Sequence, residues 1–404
     1  MWIAFLIGGT VLSCILLGHA VYRVGWFKIP EAARRVGCID GLRGYLALTV
    51  FFHHCIIWLY VLHGKSWNAP HGNVHANAGQ ASVAVFFMIT GVLFYPKIMR
   101  RLSDGEWIGH FISRICRLTP LMWFATAAVV LVVLYQNEFQ LVSPPSAIII
   151  CLAQWLSFYS LPNLFGHAHT ERIIAGVTWS LVYEWGFYIL LPGLSRLMSF
   201  IRIRVRPIIA LLCVFFYFEW LIYRHYIGPR YYVLFVVGMI VAEAVKFDKI
   251  AAALRSPWAA LIGLTALVCE FVFCPTAFAV LPPLLLGIFF APVVAGNSYF
   301  KLLSLPASIV LGEISYGIYL LHGIVLYVGF GILTYAPGPT IMLLLGPLAV
   351  ALAMFTHRFI EIPAIDFGRR LAKKVQHHNL SSPRQTAKPA LAATSPQPTP
   401  ESAS

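Results

Sequence analysis

Apolar runs of membrane-spanning length recur along nearly the whole chain. They fall at about 2–22, 44–63, 81–99, 118–136, 178–198, 207–223, 230–245, 257–275, 278–295, 309–333 and 340–356, and a helix needs about 20 such residues to cross the hydrocarbon core. One run differs. Residues 147–160 are bounded by Pro144, Pro145 and Pro162, and about 14 apolar residues is the length of a re-entrant or interfacial segment. The pattern therefore predicts an all-α polytopic integral membrane protein with about 10–11 transmembrane helices plus one short re-entrant or interfacial segment. Composition agrees: 59% of the 404 residues are hydrophobic and 11% are charged, against about 45–50% and about 25% in a soluble chain. A cytosolic globule, a disordered chain and a disulfide scaffold are excluded.

The formal charge of +14 would suggest nucleic acid in a soluble protein, but in a membrane protein basic residues mark the cytosolic side. No nucleic-acid partner is expected. With 147–160 re-entrant, the N-terminus outside and the C-terminus in the cytosol, only Lys65, Arg172, Arg224 and Arg230 of the 29 Lys and Arg residues fall outside. Counting 147–160 as a full span would instead put Arg196, Arg202, Arg204 and Arg206 outside. No Lys or Arg precedes Trp2–Tyr22, whereas Arg23, Lys28, Arg34 and Arg35 follow it. A secretory signal has the reverse order, so this segment is expected to stay as an anchor. Three regions result: an extra N-terminal transmembrane anchor (1–30), the main transmembrane domain (31–371) and a disordered cytosolic tail (372–404) rich in His, Ser, Pro, Ala and Thr. The eight cysteines include no C-x-x-C pair and read as small buried side chains.

The few polar residues inside the apolar runs carry the chemistry. Arg43 and His54 are eleven positions apart, which on a helix leaves them about 20° apart on one face with roughly 16 Å of rise. When Arg43 sits at the cytosolic mouth, His54 lies near the midplane, about half the hydrocarbon thickness away. An intramembrane ionisable residue is by default a functional one, and a neutral imidazole can take a proton; the alternative is a core histidine bonded to a neighbouring helix. His53, turned about 100° away, orients or packs. Arg114 and Arg117 are three apart and share a face, an arrangement that suits phosphate groups or simple snorkelling. Glu184 is buried in the fifth apolar run, where it can orient His54, bind a sugar hydroxyl or neutralise an arginine. His322 is a second midmembrane candidate, with a helix-to-helix hydrogen bond as its alternative. No metal site is expected, because Pro70 and Gly72 argue against a helix beneath His71 and His75 and no third ligand is evident.

Asp40-Gly41-Leu42-Arg43-Gly44 followed at the right distance by His54 resembles the arginine-x10-histidine signature of the family-3 membrane acyltransferases, which O-acylate polysaccharides and other glycans. Ser82 to Gly91 is similar to that family's second-helix motif, with Ala84 where an aspartate is common. Trp179-Ser180-Leu181-Val182-Tyr183-Glu184 resembles its tryptophan-serine-leucine-x-x-glutamate element, and Ser315-Tyr316 through His322 and Arg358 through Pro363 resemble its closing motifs. The family's arginine-arginine-x-x-arginine triplet stands here as Ser113-Arg114-x-x-Arg117, so the first arginine is missing and the expected donor site carries less positive charge. The resemblance runs from about Asp40 to Pro363.

The resemblance implies a membrane-embedded O-acyltransferase of the bacterial inner membrane, moving an acyl group, most often acetyl, from cytosolic acyl-CoA to a hydroxyl of an extracytoplasmic or lipid-linked glycan. No bound cofactor is implied. His54 would be general base or acyl carrier, with Glu184 orienting the acceptor or the imidazole. Arg43, Arg114 and Arg117 would bind the donor. His53, Trp179, Ser180 and His322 are acceptor or structural candidates, and Trp179 with the aromatic residues of 155–165 would offer a sugar-stacking surface. Acyl-CoA, the glycan, membrane lipid and cell-envelope polysaccharide assembly proteins are the implied partners. The rival reading is a proton-coupled secondary transporter of a small solute, its buried His and Glu relaying protons. A non-catalytic receptor would leave the aligned Arg43 and His54 unexplained.

Overall fold

The computed structural model describes residues 2–27, 37–68, 72–100, 102–140, 144–157, 160–200, 231–332 and 338–381; the expected span at 207–223, and His71, lie outside them. The described residues form helices and no strand. In chain order the α-helices are α1 (Trp2–Arg23), α2 (Gly37–Leu62), α3 (Asn73–Arg100), α4 (Asp104–Gln136), α5 (Pro145–Leu156), α6 (Trp179–Phe200), α7 (Tyr232–Ala244), α8 (Asp248–Leu254), α9 (Pro257–Phe273), α10 (Pro282–Val294), α11 (Pro306–Glu313), α12 (Ser315–Leu326), α13 (Met342–Thr356) and α14 (Ile362–Ser381). Prolines set several of the starts: α5, α9, α10 and α11 each open on one, where the missing N–H would have had no partner anyway. A capping box starts α4 well before its apolar run: the Ser103 hydroxyl accepts from the Glu106 N–H at 3.3 Å, and the Glu106 carboxylate accepts from the Ser103 N–H at 2.7 Å.

Helix α2 lies at the centre, packed against α3, α11 and α12. Lipid tails supply no hydrophobic drive between helices, so small residues that let backbones approach become the cohesive element. At the crossing of α2 and α11, a Cβ on Gly44 would come within 2.6 Å of Leu311, and one on Gly312 would overlap the carbonyl of Asp40. The same holds for α3 and α7, where Gly91 faces the backbone of Phe235 and Gly238 faces that of Met88. These contacts fix the register of α2 against α11 and of α3 against α7.

Among the described residues, six stretches are long and apolar enough to span a bilayer: Ala4–Arg23, Gly37–Leu62, Asn73–Arg100, Asp104–Gln136, Ser315–Ile332 and Pro339–Gln376; α8 and α9, bent by 70°, make a seventh if counted as one. The chain is a polytopic membrane protein. The expected runs at 230–245 and 278–295 are helices of only 13 residues, α7 and α10, about 20 Å long and so short of the roughly 30 Å core. Helix α5 has 12 residues, also too few to cross.

Three expectations need correction in detail. The run 309–333 is not one helix: the ladder breaks at Ile314 between α11 and α12. The last run does not end at 356, because a π-helical turn, His357–Glu361, joins α13 to α14. The tail does not begin at 372 either, since α14 continues to Ser381; small residues of α14, Gly368 and Ala372, press against Cys116 and Gly109 of α4, a contact that composition alone does not reveal. Residues 382–404 lie outside the described ones. The stretch 161–177 forms a packed cap, in which a 3-10 turn at Thr170–Ile174 buries Thr170, Ile173 and Ile174 and lies against α12.

Because the α2–α11 contact has no room for a side chain, Gly312→Leu should destabilise the detergent-solubilised protein by about 1–3 kcal/mol or prevent folding. Gly8→Leu, where a Cβ meets nothing within 4 Å, should leave the melting temperature unchanged in the same thermal size-exclusion assay.

Candidate active site

His54 and His322 meet where α2 crosses α12. His54 Nδ1 and His322 Nε2 are 3.0 Å apart, and the ring centroids are 5.0 Å apart. The tautomers follow from the neighbours. His322 Nδ1 lies 3.0 Å from the Ile318 carbonyl, which can only accept, so Nδ1 carries the proton. In a neutral His322 ring, Nε2 is then an acceptor. His54 Nδ1 must donate to it, and it also lies 3.0 Å from the Val50 carbonyl. His54 Nε2 is left with its lone pair free, the form of a general base whose other nitrogen is oriented by a partner. His322 is fully buried, while His54 is half-buried.

His53 serves packing between helices: its Nδ1–H donates to the His75 carbonyl at 2.8 Å, tying α2 to the first turn of α3. Its ring also stands edge-on to His54, with centroids 5.0 Å apart. His75 is thereby occupied through its backbone. Among the described residues no three His, Cys, Asp or Glu side chains converge as a metal site.

Arg43, Arg114, Arg117 and Glu184 are gathered in one cavity of about 200 Å³, together with Tyr188 and Tyr319. Five helices build it: α2, α3, α4, α6 and α12. Arg43 is ion-paired with Asp40 at 3.4 Å. Tyr188 donates a hydrogen bond to Glu184, and the Arg114 guanidinium interacts with the same hydroxyl while lying 5.4 Å from the centre of the Phe94 ring. Lys97 lies over that ring too, at 4.8 Å, with its ammonium 2.9 Å from His110 Nδ1. Arg114 Nε is buried without a hydrogen-bond partner, and no carboxylate lies within 4.0 Å of Arg114 or Arg117 among the described residues. The cavity is built for an anion. Glu184 belongs to this cavity; no hydrogen bond joins it to either imidazole among the described residues.

The imidazole pair does not line the cavity. Tyr319 borders both: it forms part of the cavity wall, and its ring centroid is 6.3 Å from that of His322. Its hydroxyl is held by the Val177 carbonyl at 3.0 Å and Ser180 Oγ at 2.8 Å, so Ser180 acts on Tyr319. Trp179 packs edge-on against Phe87 and Phe278 and tilted against Tyr231, and is 38% exposed. The described aromatic residues of 155–165 do not form an open surface. Trp155 is fully buried, with Nε1–H donating to the Pro162 carbonyl at 2.9 Å, and Phe165 is buried too; Phe158 and Tyr159 lie outside the described residues. Tyr188 and Tyr319 escaped the sequence reading, although a signal was there: Tyr188 follows Glu184 by one helical turn, and Tyr319 precedes His322 by one.

A sequence model of the family described as an acyltransferase domain, acyltransferase family 3, matches residues 36–358. Comparisons with curated proteins and with solved structures find no match. The family match covers most of the chain, including every cavity-lining helix and both histidines, and decides for an enzyme against a transporter. The chain belongs to acyltransferase family 3: it is a multi-pass membrane acyltransferase that transfers groups other than aminoacyl groups.

Proposed function

We propose that this protein is an O-acyltransferase, with acetyl as its acyl group, that carries that group from cytosolic acyl-CoA to a hydroxyl of an extracytoplasmic or lipid-linked glycan in the bacterial inner membrane. The observation that carries this reading is the pairing of a lone-pair-bearing His54, backed by His322, with an arginine cavity one tyrosine away. The basic-residue bias supports an orientation with the arginine end in the cytosol.

In this reading the donor's phosphates bind Arg43, Arg114 and Arg117, and the uncharged pantetheine arm passes Tyr319 to bring the thioester to the imidazole pair. Glu184, held by Tyr188, balances the arginines when the donor is absent. His54 Nε2 takes the proton of the acceptor hydroxyl as its oxygen attacks the thioester carbonyl. The C–S bond breaks, and the thiolate leaves with that proton as free coenzyme A. His322 accepts the hydrogen bond that keeps His54 in the reactive tautomer. Transfer through an acyl group carried on His54 Nε2 uses the same geometry in two steps.

Reconstituted vesicles supplied with acetyl-CoA outside the arginine end and acceptor glycan at the other should yield acylated glycan and free coenzyme A in equal amounts; solute accumulation with no acylated product would overturn the reading. His54→Ala should lower turnover by about 10²–10⁴-fold with normal membrane insertion, and retained activity would remove it as the base. His322→Ala should lower kcat with little change in either KM. Arg43→Ala and Arg114→Ala should raise the KM for acyl-CoA by about tenfold or more and leave the acceptor KM unchanged; equal effects on both would assign these arginines to structure alone.

A further inference from the structure

Arg117 lines a second cavity as well. This one measures about 450 Å³, within the roughly 300–1,000 Å³ typical of small-molecule sites. Its wall includes Phe27 from the segment after α1, Glu313 at the end of α11, His357 and Arg358 in the π-helical turn, and Arg369 on α14. Several of these parts lie outside residues 36–358: Phe27 precedes that span, and Arg369 and its neighbour Asp366 follow it. Residues on both sides of the matched span therefore help to line this chamber.

Its chemistry is mixed in a particular way. Arg117 and Arg358 have no carboxylate within 4.0 Å among the described residues, whereas Arg369 is paired with Asp366 at 3.2 Å. The Phe27 ring stacks on the His357 imidazole, with centroids 5.3 Å apart and 19° between planes, which presents flat apolar surface at the cavity wall. His357 is 7% exposed and Glu361 2%. Although His357 Nδ1 stands 3.5 Å from Glu361 Oε2, neither it nor Glu361 Oε1 has a hydrogen-bond partner among the described residues. Both belong to a π-helical turn, a distortion that recurs at functional sites. A site for inorganic phosphate or a lipid phosphate alone would gain nothing from Glu313 and Asp366 in its wall. A nucleotide would, because its phosphates suit the unpaired guanidiniums, its base suits the flat ring surface, and its ribose hydroxyls and exocyclic amine can donate to carboxylates.

We infer that the second cavity takes the phosphorylated adenine nucleotide end of the acyl donor, so that the donor extends from Phe27, His357 and Arg358 past the shared Arg117 into the first cavity and toward Tyr319. The inference rests on the acyl-CoA donor proposed above. It makes the segment after α1, and α14, parts of the donor site.

The test uses the full chain in phosphatidylcholine nanodiscs with adenosine 3′,5′-bisphosphate as probe and acetyl-CoA as donor. The bisphosphate should bind, and Arg358→Ala and Phe27→Ala should each weaken it by about tenfold or more and raise the KM for acetyl-CoA by a similar factor with kcat unchanged. Arg358→Lys should recover part of the loss, and Arg358 is exposed, so its variants test the cavity even where Phe27→Ala fails to fold. Unchanged bisphosphate affinity and unchanged KM in Arg358→Ala, with acetyl-CoA still a donor, would overturn the cavity assignment and leave the donor reading standing. Loss of bisphosphate binding when phosphatidylglycerol replaces phosphatidylcholine would also overturn it, assigning the cavity to an anionic lipid headgroup. Bisphosphate binding that is weakened by Arg358→Ala in a protein that takes no acyl group from acetyl-CoA would sustain the nucleotide site and overturn the donor reading instead.

Discussion

Inside a bilayer no water is at hand to satisfy the two nitrogens of an imidazole, and each unsatisfied polar group there is costly. His54 and His322 meet this constraint jointly. Each uses a backbone carbonyl one turn back on its own helix, and the bond between them takes the second nitrogen of His322 and the same Nδ1 of His54. The chain of donors runs one way, from His54 to His322 and from His322 to Ile318, so the pair leaves one lone pair, on His54 Nε2. The same bond demands that α2 and α12 cross at a set place and height. The glycine contact of α2 with α11 and the capping of α12 by the 3-10 turn at Thr170–Ile174 hold that crossing.

The charges are kept apart from this pair. An imidazole that takes up a proton becomes a cation, and like charges repel strongly at low dielectric, so arginines directly beside it would oppose its use as a base. They sit instead in their own cavity, with the carboxylates of Glu184 and Asp40 offsetting part of their charge. Tyr319 is the boundary between the two regions, fixed by Ser180 and the Val177 carbonyl. An anionic group can therefore be bound at one place while a neutral, thin portion of the same molecule reaches the other.

The histidine motif was legible because its geometry is local: eleven residues on one helix place Arg43 and His54 on one face whatever surrounds them. Arg114 and Arg117 were legible for the same reason, and both line the cavity that holds Arg43. The role of Glu184 was not, because His54, a sugar hydroxyl and an arginine were all open to it and no arginine or histidine lies near it in sequence. The burial of Trp155, whose indole N–H donates to the Pro162 carbonyl, was not legible because it is a tertiary contact. The length of α14 was missed because its few small residues become a packing face only when α4 lies against them.

Local periodicity and composition by themselves determined the class of protein, most of its membrane segments and the helix that carries Arg43 and His54. Hydropathy and helical pitch are properties of neighbouring residues, so no partner has to be known to read them. The tertiary structure alone decided which imidazole backs His54, since its partner is 268 positions away, and which carboxylate and tyrosines share the arginine cavity. Those choices depend on where helices cross and how closely their glycines let them approach, and nothing in the spacing along one helix encodes the height at which another will meet it.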